Sequence, residues 1–399
     1  MDRVLFFFLL FFIALLPRFF YFDFVFSFSF SVFMLHLIKG RIVFDKNFFL
    51  VSCCVFILYP VSFVSFLFYG DYFGLLRLTK LVFLLFFLSF SLTCIEECFF
   101  YKWFPRFLLV NIAVLYVEYF NFLNLRDYLQ ELNSFVYGGR SVDYRAKGIY
   151  SGYSAAGVSS GFISIFAFYY TVKGKIEKKI GWILCFFAML ATFFTGRTGI
   201  VISMLGGFLF FIIFFKKILN VKFVFCFLLL VFLTYLFYYF ELLFFFVDAD
   251  VFKITVIRTF ESFYNLSSGK GLSSESTTQL IKTLGLPSDF HSLFFGNGLK
   301  PWSELSIRLG EHQTDSGLVQ IMFMYGIIPF FIYYFPAFYI WVSSFVSPKQ
   351  KKKDLGYLFV AFPLAVLSEV KGHYIYSSLI FVLLFSAYFL RTDSVLDEK

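Results

Sequence analysis

Charged residues are scarce in this sequence, and their scarcity excludes an ordinary water-soluble domain. Asp, Glu, Lys and Arg make up 15% of the 399 residues, whereas a soluble globular domain carries about 25%. Hydrophobic residues reach 60% of the chain, and the mean hydropathy is +0.83. The composition therefore predicts an integral membrane protein.

Several signatures of soluble enzymes are also missing. The sequence contains no HExxH motif, no P-loop, no GxSxG and no dinucleotide fingerprint, so nothing supports ATP-driven or redox chemistry. We predict no cofactor, no metal and no nucleic-acid partner. The cysteines lie in or at the edges of apolar runs and form no CxxC pair, which excludes a disulfide framework. They are Cys53, Cys54, Cys94, Cys98, Cys185 and Cys226.

Long apolar runs, many of them rich in phenylalanine, dominate the chain. A helix needs roughly 20 apolar residues to cross a bilayer core, and its backbone polar groups must be satisfied within the segment. The fold predicted is all-α: a polytopic integral membrane protein with about 12 transmembrane helices in a single domain, residues 1–399. The predicted spans are 4–16, 19–38, 48–69, 75–95, 102–123, 154–172, 180–195, 199–215, 223–247, 315–346, 357–370 and 374–390.

The short lysine-rich connections set the orientation. With twelve spans, all of them fall on the same side as both termini, and the positive-inside rule makes that side cytoplasmic. These connections are residues 39–47, 173–179, 216–222 and 347–354. Arg197 then lies on the outer face, against the usual charge bias.

Two predicted outer loops, 124–153 and 248–313, are long and of mixed polarity. Loops of this length in a compact protein are usually functional. In the second loop, residues 250–264 show the apolar spacing of a helix lying on the membrane surface. Ser276 to Gln279 form a capping-box pattern that predicts another short helix.

Arginines on the predicted outer side are candidates for anion binding. Arg197 lies in the turn Gly196-Arg197-Thr198-Gly199 between two spans, and Arg145 and Arg258 lie in the two long loops. A guanidinium offers a planar fork of donors that fits phosphate oxygens. Several such groups would form a site for a lipid-linked phosphate. The alternative is that each arginine solvates a loop or anchors a helix end.

Candidate acid–base residues lie at the start of the tenth predicted span or just before it. His312 and Asp315 lie at its start, where partial desolvation raises the pKa of a carboxyl toward a value useful for proton abstraction. Asp315 could instead serve only as a helix N-cap. His36, His291 and His373 lack clustered partners in the sequence and are interpreted as bystanders.

Taken together, these segments resemble the Wzy-type O-antigen polymerases, within the wider family that includes O-antigen ligases. The resemblance rests on Thr195-Gly196-Arg197-Thr198-Gly199, on Asp315–Gln320 followed by Tyr325-Gly326, on Arg145 and Gly148 in the first outer loop, and on Arg258 and Gly269, which ten residues separate as in the family's Arg-x10-Gly motif. Ligases tend to carry His-Asn where this chain has Asp315-Ser316, which favours a polymerase over a ligase.

The resemblance implies a glycosyltransferase of the bacterial inner (plasma) membrane that polymerises undecaprenyl-diphosphate-linked repeat units in lipopolysaccharide synthesis. Asp315, His312 and Arg197 are the expected catalytic residues. Arg197, Arg258 and Arg145 are expected to bind the substrate diphosphate. Membrane lipid and a chain-length regulator are the compatible partners. A flippase or transporter for the same lipid-linked sugars remains the alternative from another class.

Overall fold

The computed structural model describes most of the apolar segments of the chain. The described residues are 2–15, 18–19, 22–40, 46–69, 72–122, 125–129, 131, 145–150, 152–218, 265, 278, 290–296, 316–346 and 356–390. The ninth predicted span and most of the second predicted outer loop lie outside them, as do the predicted helices over 250–264 and after Ser276.

The described residues are almost entirely helical, as the sequence predicts. They include two strands of two residues each, β1 (Arg18–Phe19) and β2 (Phe22–Asp23). A 3₁₀ turn, Cys54–Ile57, follows the third helix, and a π-helical segment, Leu84–Leu88, follows the fifth. The helices are α1 (Asp2–Leu15), α2 (Phe24–Ile38), α3 (Lys46–Cys53), α4 (Leu58–Tyr69), α5 (Phe73–Phe83), α6 (Ser89–Cys94), α7 (Glu97–Tyr119), α8 (Tyr153–Val172), α9 (Lys178–Thr195), α10 (Arg197–Ile218), α11 (Phe290–Phe295), α12 (Gly317–Tyr325), α13 (Ile327–Val346), α14 (Gly356–Glu369) and α15 (Ser378–Phe389).

Seven helical segments in the described residues are long and apolar enough to cross a membrane. They are Lys46–Val64, Phe73–Cys94, Glu97–Tyr119, Tyr153–Val172, Lys178–Thr195, Arg197–Phe214 and Ile327–Val346. The helical, membrane-compatible class is therefore confirmed. The count of twelve spans and the two outer loops stay predictions.

The tenth predicted span, 315–346, is not one continuous helix. It divides into α12 and α13 at Gly326, whose φ of +89° is a conformation that side chains rarely adopt. A Cβ at Gly326 would also collide with the backbone of Phe294 in α11. Only glycine fits this break, and hydropathy alone does not reveal it.

The helices group into two compact units. Unit 1 comprises Met1–Ile13, Phe22–Phe100 and Ser274–Lys399, and unit 2 comprises Ala14–Tyr21 and Tyr101–Ser273. In unit 1, α15 is buried along its whole length. The central element of unit 2 is α8, which packs against both α9 and α10.

Small residues allow this packing in unit 2. The first half of α8 reads Tyr-Ser-Ala-Ala-Gly-Val-Ser-Ser-Gly, and its residues from Ala156 to Thr171 are all buried. Small side chains let membrane helices approach until their backbones touch. The close approach fixes the turn that joins α9 to α10.

Candidate functional site

The turn that carries Arg197 rests directly on α8. A Cβ added to Gly157 would lie 2.8 Å from the Cα of Gly196, and one added to Gly161 would lie 2.8 Å from the carbonyl oxygen of Gly199. The backbone of α8 therefore contacts the turn at two successive levels. Arg197 begins α10 immediately after Gly196, so its position is set by this contact.

The segment that carries Arg145 is attached to the same region. The amide of Ala146 donates to the carbonyl of Phe194, two residues before Gly196, at 3.1 Å. The guanidinium carbon of Arg145 lies 5.6 Å from the centroid of the Tyr153 ring, a cation–π contact at the first residue of α8. Arg145 and Arg197 are therefore brought to the same end of α8.

A buried carboxylate holds the Arg145 segment in place. Glu118, at the end of α7, is only 1% exposed. Its Oε2 accepts from the amide of Lys147 at 3.1 Å and also from the amide of Gly148. Gly148 has a φ of +54°, and a Cβ there would lie 2.8 Å from Leu115, so this bend requires glycine.

The backbone carbonyls at the end of α7 bind a second basic segment. Arg126 donates from Nε to the carbonyl of Glu118 at 3.0 Å and from Nη2 to the carbonyl of Tyr119. Burial lowers the pKa of Lys147, and the nearby negative charge of Glu118 opposes that shift. Arg126 and Lys147 therefore both lie at the end of α7, close to the acidic residue Glu118.

The remaining predicted site residues, Arg258, His312 and Asp315, lie outside the described residues. The expected gathering of Asp315 with the arginines therefore stays a prediction. The residue after Asp315 is described: Ser316 is the N-cap of α12, and its hydroxyl accepts from the amide of Val319 at 3.5 Å. The cap of this helix is thus Ser316 and not Asp315.

The expectation that His373 lacks clustered partners is wrong, whereas its interpretation as a bystander stays a prediction. In unit 1, His373 Nδ1 lies 3.0 Å from Oε2 of Glu369, and Nε2 lies 2.8 Å from the Tyr333 hydroxyl. The Tyr334 hydroxyl donates to the same Glu369 oxygen at 2.6 Å. The other oxygen of Glu369 accepts from the amides of Tyr374 and Ile375. We call Glu369, His373, Tyr333 and Tyr334 the His373 cluster.

Burial differs sharply within this cluster. The side chain of Glu369 is 0% exposed, whereas that of His373 is 14% exposed. Burial lowers the pKa of His373; Glu369 opposes this effect, and the positive charges of Arg77 and Lys80 add to it. The His373 side chain is therefore partly exposed, whereas its carboxylate partner is covered.

A chain of contacts connects the cluster to Arg77 in α5. The Tyr325 hydroxyl donates to the carbonyl of Gly74 at 2.9 Å, and the Tyr325 ring stacks on Tyr333 with centroids 5.9 Å apart. Gly74 and Arg77 lie three residues apart on α5 and so share a helix face. Nη1 of Arg77 is buried and has no hydrogen-bond acceptor among the described residues.

One sequence signal could have identified this cluster. Glu369 and His373 are spaced i,i+4 at the end of an apolar run, the spacing at which helical side chains meet. No comparable signal links Glu118 to Lys147, because that contact spans 29 residues of sequence.

Comparisons with known proteins give no match: no family model, no curated protein and no solved structure aligns with the chain.

Proposed function

We propose that the chain is a membrane glycosyltransferase that polymerises lipid-linked oligosaccharide repeat units of a surface polysaccharide. The substrate is an oligosaccharide carried on a polyprenyl diphosphate, and the acceptor is a hydroxyl group of another lipid-linked repeat unit. The proposal rests on the resemblance of the Arg145, Arg197 and Asp315 segments to the O-antigen polymerases. It places the chain in the bacterial inner membrane, with both termini cytoplasmic.

The observation that carries the proposal is the joint position of Arg145 and Arg197 at one end of α8. Both residues come from the segments that support the resemblance, and they are separated by more than fifty residues in the sequence. The Ala146–Phe194 hydrogen bond and the Gly157–Gly196 contact bring their segments together. Two arginines whose backbone segments are held at one helix end are suited to a diphosphate.

The chemistry requires such cations. As the bond from the sugar to the diphosphate breaks, negative charge grows on the leaving oxygen, and preorganised donors stabilise that charge without a metal. Arg145 and Arg197 take this role in the proposal, together with Arg258. Asp315, with His312 as the second candidate, would accept the proton of the acceptor hydroxyl. The roles of these last three residues rest on sequence alone.

Replacement of Arg197 tests the proposal. The Arg197→Ala variant should insert normally but leave single repeat units in place of long chains on the cell surface. Arg197→Lys keeps the charge but loses the planar fork, so it should give shortened chains. The measurement is gel banding of surface glycan from a deletion strain complemented with each variant. A wild-type ladder from Arg197→Ala would remove Arg197 from the mechanism.

A matched control is available in the same unit. Arg106 forms an exposed ion pair with Glu177 at 3.2 Å, a type of contact that contributes about 0–1 kcal/mol. Arg106→Ala should therefore leave the glycan ladder unchanged. Loss of polymer in this variant as well would indicate that removal of any arginine damages the protein.

One observation favours the transporter alternative. Glu118 and Glu369 are buried at the ends of apolar helices, and flippases place ionisable groups inside their membrane region. A strain that lacks the gene separates the two functions. Loss of a polymerase leaves single repeat units on the surface, whereas loss of a flippase leaves none.

A further inference from the structure

We infer that the lysine-rich end of unit 2 is a binding surface for the headgroups of anionic phospholipids. Residues near the start of α7, at the end of α8 and at the start of α9 form this surface. It is independent of the proposed function, because it concerns the bilayer around the protein and not the transfer reaction. We call its five lysines the lysine surface: Lys102, Lys173, Lys175, Lys178 and Lys179.

A turn of defined geometry presents two of these lysines. After α8, Gly174 has a φ of +77°. The amide of Gly174 donates to the carbonyl of Thr171 at 3.0 Å, and the amide of Lys175 donates to the carbonyl of Tyr170 at 2.9 Å. This pair of bonds is the Schellman motif, which satisfies the last carbonyls of a helix. The backbones of Lys173 and Lys175 are therefore fixed on either side of the glycine.

Aromatic rings hold the ammonium groups of the same two lysines. Each Nζ lies within 6 Å of two ring centroids, the range of a cation–π contact. The rings are those of Tyr169 and Phe214 for Lys173, at 5.7 and 5.5 Å, and those of Tyr101 and Tyr170 for Lys175, at 5.5 and 5.9 Å. The rings orient these ammonium groups but do not neutralise their charge.

Two half-buried tryptophans mark the level of the membrane interface at this end of unit 2. The ring of Trp103 lies 5.8 Å from Nζ of Lys102 and 5.7 Å from the guanidinium carbon of Arg106. Trp182 packs edge-on against Phe168 near the start of α9, with centroids 5.7 Å apart. Tryptophan is enriched at the level of the lipid headgroups. The lysine surface therefore lies where headgroup phosphates are found.

Positive charge exceeds negative charge in the connection between α8 and α9. Residues 173–179 contain four lysines and one glutamate, and Oε2 of that Glu177 lies 3.2 Å from Nη2 of Arg106. Lys178 and Lys179 begin α9, where the helix dipole is unfavourable for a cation. Their placement therefore does not stabilise the helix, and an anion outside the protein would offset its cost.

The charge and position of the lysine surface favour an anionic phospholipid as the occupant. A lysine near the surface of an anionic membrane strengthens binding by about fivefold, whereas a zwitterionic headgroup has no net charge to attract it. Ammonium groups act as point charges that accept phosphates in many orientations. This end is also the one predicted to face the cytoplasm, where anionic lipids give the leaflet a negative potential.

Lipid binding to the purified full-length protein tests the inference. Phosphatidylglycerol and phosphatidylcholine are added separately to the protein in a mild detergent, and bound lipid is counted by native mass spectrometry. We expect phosphatidylglycerol to bind more tightly, with a preference that weakens as the ionic strength rises. Equal binding of the two lipids by the wild-type protein would overturn the inference.

A double variant locates the binding on the protein. Replacement of both Lys173 and Lys175 by glutamine should weaken phosphatidylglycerol binding on the order of 30-fold and leave phosphatidylcholine binding unchanged. Replacement of both by arginine keeps the charge and should keep the affinity. Wild-type affinity for phosphatidylglycerol in the double glutamine variant would show that these lysines do not form the site.

Lys46→Gln is the matched control. Lys46 is an exposed lysine at the start of α3 in unit 1, beside another of the lysine-containing connections. We expect no measurable change in lipid binding for this variant, and a loss of about fivefold for the single variant Lys175→Gln. Equal losses in the two variants would mean that lipid responds only to the total charge, which would overturn the assignment to unit 2.

Discussion

Gly157 and Gly196 touch through their backbones, so that a Cβ on Gly157 would lie 2.8 Å from the Cα of Gly196. This contact joins the middle of the small-residue stretch of α8 to the residue before Arg197. The position of Arg197 therefore depends on the absence of a methyl group at Gly157, 40 residues earlier in the sequence.

Replacement of Gly157 by alanine should separate α8 from the Arg197 turn. Overpacking of this kind costs about 1–3 kcal/mol, because the methyl group would meet backbone atoms rather than a flexible side chain. We expect a lower unfolding temperature in detergent and shorter surface glycan. The measurements are a thermal unfolding curve of the purified protein and the glycan ladder.

Gly207 offers the matched control for that experiment. A Cβ at Gly207 meets nothing within 4 Å in α10, and alanine in a helix interior is favoured over glycine by about 0.5–1 kcal/mol. Gly207→Ala should therefore leave stability unchanged or raise it slightly. An equal loss of stability in both variants would contradict the packing argument.

Glu118→Gln should loosen the Arg145 segment. The carboxylate Oε2 accepts two backbone amides in a buried position, and hydrogen bonds to a charged acceptor contribute about 1.5–3 kcal/mol. We expect faster amide hydrogen exchange at residues 145–150 and shortened glycan. Glu177→Gln removes only an exposed ion pair and should change neither quantity. Unchanged exchange in Glu118→Gln would show that the carboxylate does not hold this segment.

The stability of the protein should fall as the pH decreases through the histidine range. Because burial lowers the pKa of His373, the unfolded chain binds this proton more readily than the folded chain does, so protons favour unfolding below about pH 6.5. Thermal unfolding measured between pH 7 and pH 5 should show this decrease. His373→Gln should show a smaller decrease, and an identical decrease in the two proteins would assign the effect to other groups.

The predicted orientation can be tested by cysteine labelling. Tyr128 is 63% exposed in the first predicted outer loop, and Lys178 is exposed at the start of α9, beside the lysine-rich connection 173–179. With the six native cysteines replaced by alanine, Tyr128→Cys should react with a membrane-impermeant maleimide in intact spheroplasts. Lys178→Cys should react only after permeabilisation. The reverse pattern would invert the topology and place Arg197 in the cytoplasm.

The ends of the unit 2 helices were predicted closely from the sequence, because changes in hydropathy and glycine-containing turns mark them. The spans predicted at 154–172 and 180–195 correspond to α8 and α9, whose ends lie within two residues of those bounds. The short polar turn at Gly196 separates α9 from α10, and a polar interruption of this kind is visible in the sequence.

Breaks that depend on tertiary packing could not be predicted. The division at Gly326 follows from the closeness of Phe294, and the last helix begins at Ser378 rather than at residue 374. Glu369 binds the amides of Tyr374 and Ile375 in the connection that precedes this helix. Both features arise from contacts between segments that are individually apolar.

The candidate site was predictable only in part. Arg145 and Arg197 could be predicted as site residues because arginines are rare in an apolar chain. The structure brings the segments that carry them together. The partners of Glu118 could not be predicted from the sequence, and for His373 the i,i+4 spacing from Glu369 was the one available signal. The fold determines which groups these side chains contact. A histidine or glutamate near the end of a span has the same neighbouring sequence whether or not its side chain is hydrogen-bonded.

The break at Gly326 also bears on how the protein is made. The nine residues of α12 rise about 14 Å, less than half of the ~30 Å hydrocarbon core of a bilayer. This helix therefore cannot leave the translocon for the lipid on its own during synthesis. Its membrane integration depends on α13, so that ribosomes must complete Ile327–Val346 before the preceding segment acquires a stable position.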